Sequence, residues 1–178
     1  GTPGVALMER AGAGIHRELA AFLQGLPARH RQRILIVTGR GSNGGDGLVL
    51  ARLLADAGET PVTVAGVSPF EGLTGDARTM ADRVPPSVTL LTPCTSLADA
   101  LDGPGTVIVD ALLGTGIYGP LRPPYDTLIE QINASGCPVV SVDLPSGLNA
   151  DTGAAEGAAV RADLTITLAQ PKTGLITP

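Results

Sequence analysis

The feature that most limits the fold is an alternation that runs the length of the chain. Residues 33–57, RILIVTGRGSNGGDGLVLARLLADA, begin with an apolar run, turn through glycines and continue with apolar residues at helical spacing. The same order recurs in Val62–Val67 followed by Thr74–Arg83, and in Val88–Leu91 followed by a short helical stretch at Leu97–Leu101. It recurs again in Val107–Asp110 followed by Tyr125–Ala134, and Val139–Asp143 and Leu164–Leu168 read as the last strands. An amphipathic helix precedes them: Thr2-Pro3 signals its start, Val5, Met8, Ala11, Ile15, Leu19 and Phe22 form its apolar stripe, and Gly25-Leu26-Pro27 ends it. Strands that are apolar on both sides, each followed by a helix, require cover on both faces of the sheet. The expected class is α/β, a mainly parallel sheet with helices on both faces, in one domain over residues 1–178 with no internal repeat or linker.

Composition narrows the partners. With 43% hydrophobic but only 2% aromatic residues and no Trp, the core must be built from Ala, Val, Leu and Ile. A net charge of -5 and a pI near 4.9 provide no positive field for nucleic acid or an anionic membrane, so neither is an expected partner. The basic cluster Arg29-His30-Arg31 with Arg33 reads as a solvated loop between a helix and a strand. Cys94 and Cys137 lack metal-ligand spacing and read as packing residues of a protein from a reducing compartment. No signal peptide and no apolar run of bilayer length is visible, and a cytoplasmic location is expected.

Three strands run into polar or glycine-bearing turns: Thr38 into GRGSNGGDG, Asp110 into ALLGTGIYGP, and Asp143 into LPSG. In open α/β sheets ligands bind at the carboxyl ends of the strands, so the three turns belong on one edge. Gly39-Arg-Gly41-Ser-Asn-Gly44 matches the dinucleotide pattern G-x-G-x-x-G, but the second strand, PVTVAGVSP, has no acid at its end to hold a ribose. A phosphate-binding P-loop is excluded because Gly45-Asp46 stands where Lys-Ser/Thr is required. What remains is a nest of backbone N–H groups from Ser42 to Gly45 at a helix N-terminus, suited to an anion. Asp46 would repel that anion. It reads either as a first-turn acid favoured by the helix dipole or as a group that contacts a donor on the ligand.

Asp110 and Asp143 close two apolar strands and are expected to point into the crevice. A hard cation held by Asn43, Asp110 and the Ser146 hydroxyl or nearby carbonyls would offset them. Asx-type hydrogen bonds to neighbouring turns are the simpler alternative. Gly114-Thr115-Gly116 and Gly119-Pro120 form a flexible second wall, with Thr115 as a hydroxyl donor. Pro145-Ser146-Gly147 is not a nucleophile elbow: Pro145 leads directly into Ser146, and the histidines, His16 and His30, lie in and just after the opening helix.

The segments LMERAG (7–12), GRGSNGGDGLVLARLL (39–54), DALLGTG (110–116), GPLRPPYDTLIEQIN (119–133), VVSVDLPSGLNADTG (139–153) and VRADLTITLAQPKTGL (160–175) together resemble the YjeF N-terminal domain family, NAD(P)H-hydrate epimerases. The resemblance covers nearly the whole chain. It implies a three-layer Rossmann-like domain that interconverts the R and S epimers of NADHX and NADPHX, hydrated nicotinamide cofactors, as a metabolite-repair enzyme. It implies substrate contacts from Ser42, Asn43, Gly44, Gly45 and Asp46, from Gly114, Thr115, Gly116, Ile117, Tyr118, Gly119 and Pro120, and from Asp143. It further implies a potassium ion held by Asn43, Asp110 and Ser146.

Asp143 and Asp46 are the candidate proton-transfer residues. A homodimer is expected, as is a longer protein with an ADP- or ATP-dependent dehydratase domain following. Ser42 departs from the Asn usual in the family. Lys172, near the end of the chain, reads as a solvated lysine, and Arg40 as an exposed loop residue. The alternative function is a non-catalytic nucleotide- or partner-binding module.

Overall fold

The computed structural model describes residues 1–58, 60–116 and 119–176. Helix α1 (Gly4–Gly25) is followed by strand β1 (Arg33–Thr38), helix α2 (Ser42–Ala57), strand β2 (Val62–Gly66), helix α3 (Gly75–Ala81) and strand β3 (Thr89–Leu91). Helix α4 (Ala98–Leu101), strand β4 (Thr106–Ala111), helix α5 (Tyr125–Ala134), strands β5 (Val139–Val142) and β6 (Leu164–Ile166), and helix α6 (Thr173–Ile176) complete the order. The six strands form one sheet in the order β3-β2-β1-β4-β5-β6, and every pairing is parallel. Strand order reverses between β1 and β4, where Thr38 lies beside Ala111 at the carboxyl ends. This is the edge at which a crevice opens in such sheets.

Side-chain alternation along each strand divides the core. Ile34, Ile36, Val109, Val140 and Val142 pack in one cluster with Met8, Ile15 and Leu19 of α1, Leu48 and Leu50 of α2, and Met80 of α3. Leu35, Val37, Ile108 and Val139 point the other way, against Leu128, Ile129 and Ile132 of α5. Helices therefore cover both faces, as the doubly apolar strands require. Close helix crossing is set by glycine: a Cβ on Gly12 of α1 would overlap Val49 of α2.

Two boundaries differ from the sequence reading in ways that matter for the site. Helix α2 begins at Ser42 rather than near Gly45, with Gly41 as its N-cap. Its glycines are placed by close approach rather than by helix propensity. A Cβ on Gly44 would overlap the Gly39 carbonyl oxygen, one on Gly45 would press on the Met8 sulfur, and one on Gly47 would meet Ala111. The sequence gives no strong signal for the terminal helix α6, whose four residues are held by residues 149–153: Gly174 N–H donates to the Ala150 carbonyl at 2.7 Å.

Candidate active site

The turns after β1, β4 and β5 meet at the sheet edge around a cleft of about 380 Å³. Arg40, Gly41, Ser42, Asn43 and Asp46 form one side, Leu112 to Gly116 the other, and Tyr125 and Asp143 complete it. A more open cavity of about 790 Å³, between α1 and the residues after β6, adjoins it through Ser42 and Asp46. The N–H groups of Ser42, Asn43 and Gly44 fall in the first turn of α2, where no intrahelical acceptor exists, so they are available to an anion. Gly45 is not part of this nest, because its N–H already donates to the Gly41 carbonyl at 3.1 Å.

The three aspartates differ sharply. Asp110 does not point into the cleft, contrary to the sequence reading: it is fully buried beneath it and forms four hydrogen bonds. Its Oδ1 accepts from Leu112 N at 3.2 Å and Ser146 Oγ at 2.5 Å, and its Oδ2 from Ser141 Oγ at 2.8 Å and Ser146 N at 2.9 Å. The Leu112 contact is an Asx-type bond two residues on, so the simpler reading of Asp110 applies. Burial pushes its carboxyl upward, and these four donors act in the opposite direction. Asp110 thereby ties the turn after β5 to that after β4.

Asp46 is 7% exposed and lies in the second turn of α2, so a first-turn capping role does not apply. Burial first, and the nearby Asp143 charge second, push its carboxyl up to about 7. Asp143 has a left-handed backbone, φ +68, rare for a residue with a side chain and typical of functional turns. Its Oδ1 accepts from Leu168 N at 3.0 Å and from the Lys172 ammonium. Lys172 is accordingly not a solvated lysine: its side chain and that of Asp143 are each 15% exposed.

Asn43 presents an unusual atom. Its Nδ2 donates to the Leu113 carbonyl at 2.8 Å, which fixes the amide orientation because a carbonyl can only accept. Its Oδ1 is consequently buried with no partner among the described residues. The same Leu113 donates its N–H to the Ser146 hydroxyl at 2.9 Å. Among the described residues no cluster of three His, Cys, Asp or Glu could hold a metal, so an oxygen-only set is what the site offers.

Of the residues singled out from the sequence, Ser42, Asn43, Asp46, Gly114, Thr115, Gly116 and Asp143 are brought together at the cleft, while Gly44 and Gly45 lie behind it as packing glycines. Gly119 borders a separate small cavity with Gly147 and Asn149, and Pro120 is outside the cleft lining. Ile117 and Tyr118 lie outside the described residues. Tyr125, at the start of α5, was missed; its signal in the sequence was its place after the glycine-rich turn in a chain with two tyrosines.

Residues 4–174 match the family described as YjeF-related protein N-terminus. The chain belongs to the YjeF N-terminus family. It is 40% identical over 182 residues to the NAD(P)H-hydrate epimerase of Limosilactobacillus fermentum, an alignment covering 99% of this chain and 80% of that protein. It is 41% identical to the bifunctional NAD(P)H-hydrate repair enzyme Nnr of Hyperthermus butylicus, where 96% of this chain spans 31% of the relative. Among solved structures, the yeast protein ynu0 superposes with a TM-score of 0.84 at 26% identity, covering 98% of this chain and 74% of that one. For this member of the YjeF N-terminus family, the fold is thus shared with a solved structure.

Proposed function

We propose that the chain interconverts the R and S epimers of hydrated NADH and NADPH, as the names of its epimerase relatives suggest. The observation that carries this reading is Asp46: a buried carboxyl held near neutrality, beside an aspartate paired with lysine, next to an anion-binding helix start. The reacting carbon of the substrate bears a hydroxyl and the ring nitrogen. Inverting it requires loss and return of that hydroxyl, or opening and closing of the ring.

Asp46 has the affinity to serve both directions near pH 7. Protonated, it gives its proton to the departing hydroxyl, which leaves as water. Ionised, it takes a proton from the water that adds to the opposite face. The ring becomes cationic in between, and the Asp143 carboxylate provides the opposing charge. First-turn N–H groups of α2 and Thr115 hold the pyrophosphate.

A potassium ion held by Asn43, Ser146 and Asp110 belongs to the same reading, and it would rest mainly on Asn43 Oδ1, which is buried with no partner among the described residues, since Asp110 already accepts four hydrogen bonds. Such an ion supplies positive charge beside the anion nest. The bifunctional relatives support a dehydratase domain joined to this one in the whole protein, and a homodimer belongs to the same reading, checked by sedimentation.

The test supplies the R epimer to the purified protein, with and without potassium, while a dehydratase specific for the S epimer removes product. The expected result is conversion well above the spontaneous rate, faster with potassium. A folded protein that leaves the spontaneous rate unchanged would instead be a binding module.

A further inference from the structure

Lys172 lies 29 residues from its partner Asp143 in the sequence. Its place is set by a clasp. Asn149 Oδ1 accepts from Asp151 N at 2.9 Å and Thr152 N at 3.0 Å, which closes the loop after β5. Gly174 then docks on that loop so tightly that a Cβ there would overlap the Asn149 carbonyl oxygen, and Gly153 and Gly174 exclude side chains from each other. The clasp delivers the lysine to the end of β5.

An ammonium has three donors, and here three acceptors meet it: Asp143 Oδ1, Thr167 Oγ1 at 3.1 Å and the Leu168 carbonyl at 2.8 Å. None is left for a substrate phosphate or for proton transfer, so any effect of Lys172 on the reaction passes through Asp143. Asp143 N–H donates to the Ile166 carbonyl at 2.8 Å, and both hydrogen bonds its carboxylate accepts among the described residues fall on Oδ1. Asp143 lines the cleft that it shares with Asp46.

A partly buried ion pair is a weak device for stability, since its desolvation cost offsets much of its attraction. What it does fix is position: the ammonium and the Leu168 N–H both bind Asp143 Oδ1 and hold the carboxylate in one orientation.

We propose that Lys172 is a positioning residue of the reaction, holding the Asp143 carboxylate in one orientation at the cleft it shares with Asp46. Burial first, and the Asp143 charge second, push the Asp46 carboxyl upward, so the placement of Asp143 bears on the neighbouring acid. The inference rests on the epimerase reading.

Kinetics of the wild type, Lys172→Met, Lys172→Arg, Asp143→Asn and the Lys172→Met/Asp143→Asn double variant decide it, alongside thermal melts. Lys172→Met should lose kcat on the order of a hundredfold with little change in KM, the range of one acid–base interaction. Lys172→Arg should recover part of that loss, and the double variant should be no slower than Asp143→Asn. Lys172→Met at wild-type kcat, or a double variant slower than Asp143→Asn by the full lysine factor, would overturn the proposal. Should Lys172→Met not fold, Thr167→Val, which removes one anchor of the ammonium and keeps the pair, takes its place. Reduced kcat at unchanged KM then supports the role, and unchanged kcat refutes it. Wild-type protein without turnover sinks the epimerase reading itself, whereas an active wild type with an indifferent lysine sinks only this inference.

Discussion

Asp46→Asn should make the protein more stable at neutral pH while removing its activity. The folded carboxyl titrates at about 7 against an ordinary 3.8, a difference of about three pH units, or about 4 kcal/mol at roughly 1.4 kcal/mol per unit. The displacement is upward, so the folded state holds the proton more tightly than the unfolded chain. Stability is therefore undiminished below pH 3.8, declines as pH rises from 3.8 to about 7, and stays reduced above that. At 7% exposure there is little solvent screening to discount.

Asparagine has no proton to lose. The gain in unfolding free energy of Asp46→Asn over wild type should be near zero at pH 4 and approach about 4 kcal/mol at pH 8, on the order of 10 °C in Tm for a domain of this size. Urea titrations of both proteins across that range measure it, because the other carboxylates appear in both and cancel. Epimerisation should fall by about 10²- to 10⁴-fold in the same variant. A stability gap that does not widen with pH, or a wild type more stable than the variant at pH 8, would refute the reasoning.

Ser146→Ala removes the hydroxyl that donates to Asp110 Oδ1 and accepts from Leu113 N, and should lose about 2–3 kcal/mol in chemical denaturation, the scale of a hydrogen bond to a buried charge. Gly44→Ala forces a Cβ onto the Gly39 carbonyl, a backbone atom that cannot rotate away, and should lose about 1–3 kcal/mol or more with weakened substrate binding, read by urea unfolding and KM. Asn43→Ala deletes the unpartnered buried oxygen, so the response of the rate to exchanging potassium for sodium should vanish while the helix remains intact by circular dichroism.

The fold was legible because five of the strands are signalled by continuous apolar or β-branched runs, Ile34–Val37 and Val107–Val109 among them, and only a sheet covered on both faces buries such runs. The start of α2 was not, since Ser42-Asn43-Gly44-Gly45 looks like loop by propensity. Tertiary approach to Gly39 and Met8 decides it, and no local signal reports that. Asp143 was legible as a strand-end acid, and Asp46 as an acid at the helix start just after a glycine turn. The burial of Asp110 was hidden because it depends on Ser141 across the sheet and Ser146 three dozen residues away. Lys172 was hidden for the same reason: its partner is reached only through the clasp between residues 149–153 and 172–174.

Two strand-end carboxylates, Asp110 and Asp143, suggested from sequence either a cation that offsets them or Asx-type hydrogen bonds, and the geometry narrows that choice. Asp110 is met by four protein donors, and Asp143 by an ammonium and an amide. Neither demands a metal to exist where it does. Asp46 is the one whose charge the protein leaves poorly compensated, and burial with a like-charged neighbour makes holding a proton its least costly state near neutrality. A cation in this site would therefore answer not to the carboxylates but to Asn43 Oδ1, a buried oxygen with no partner among the described residues, and its loss should alter substrate binding before it alters folding.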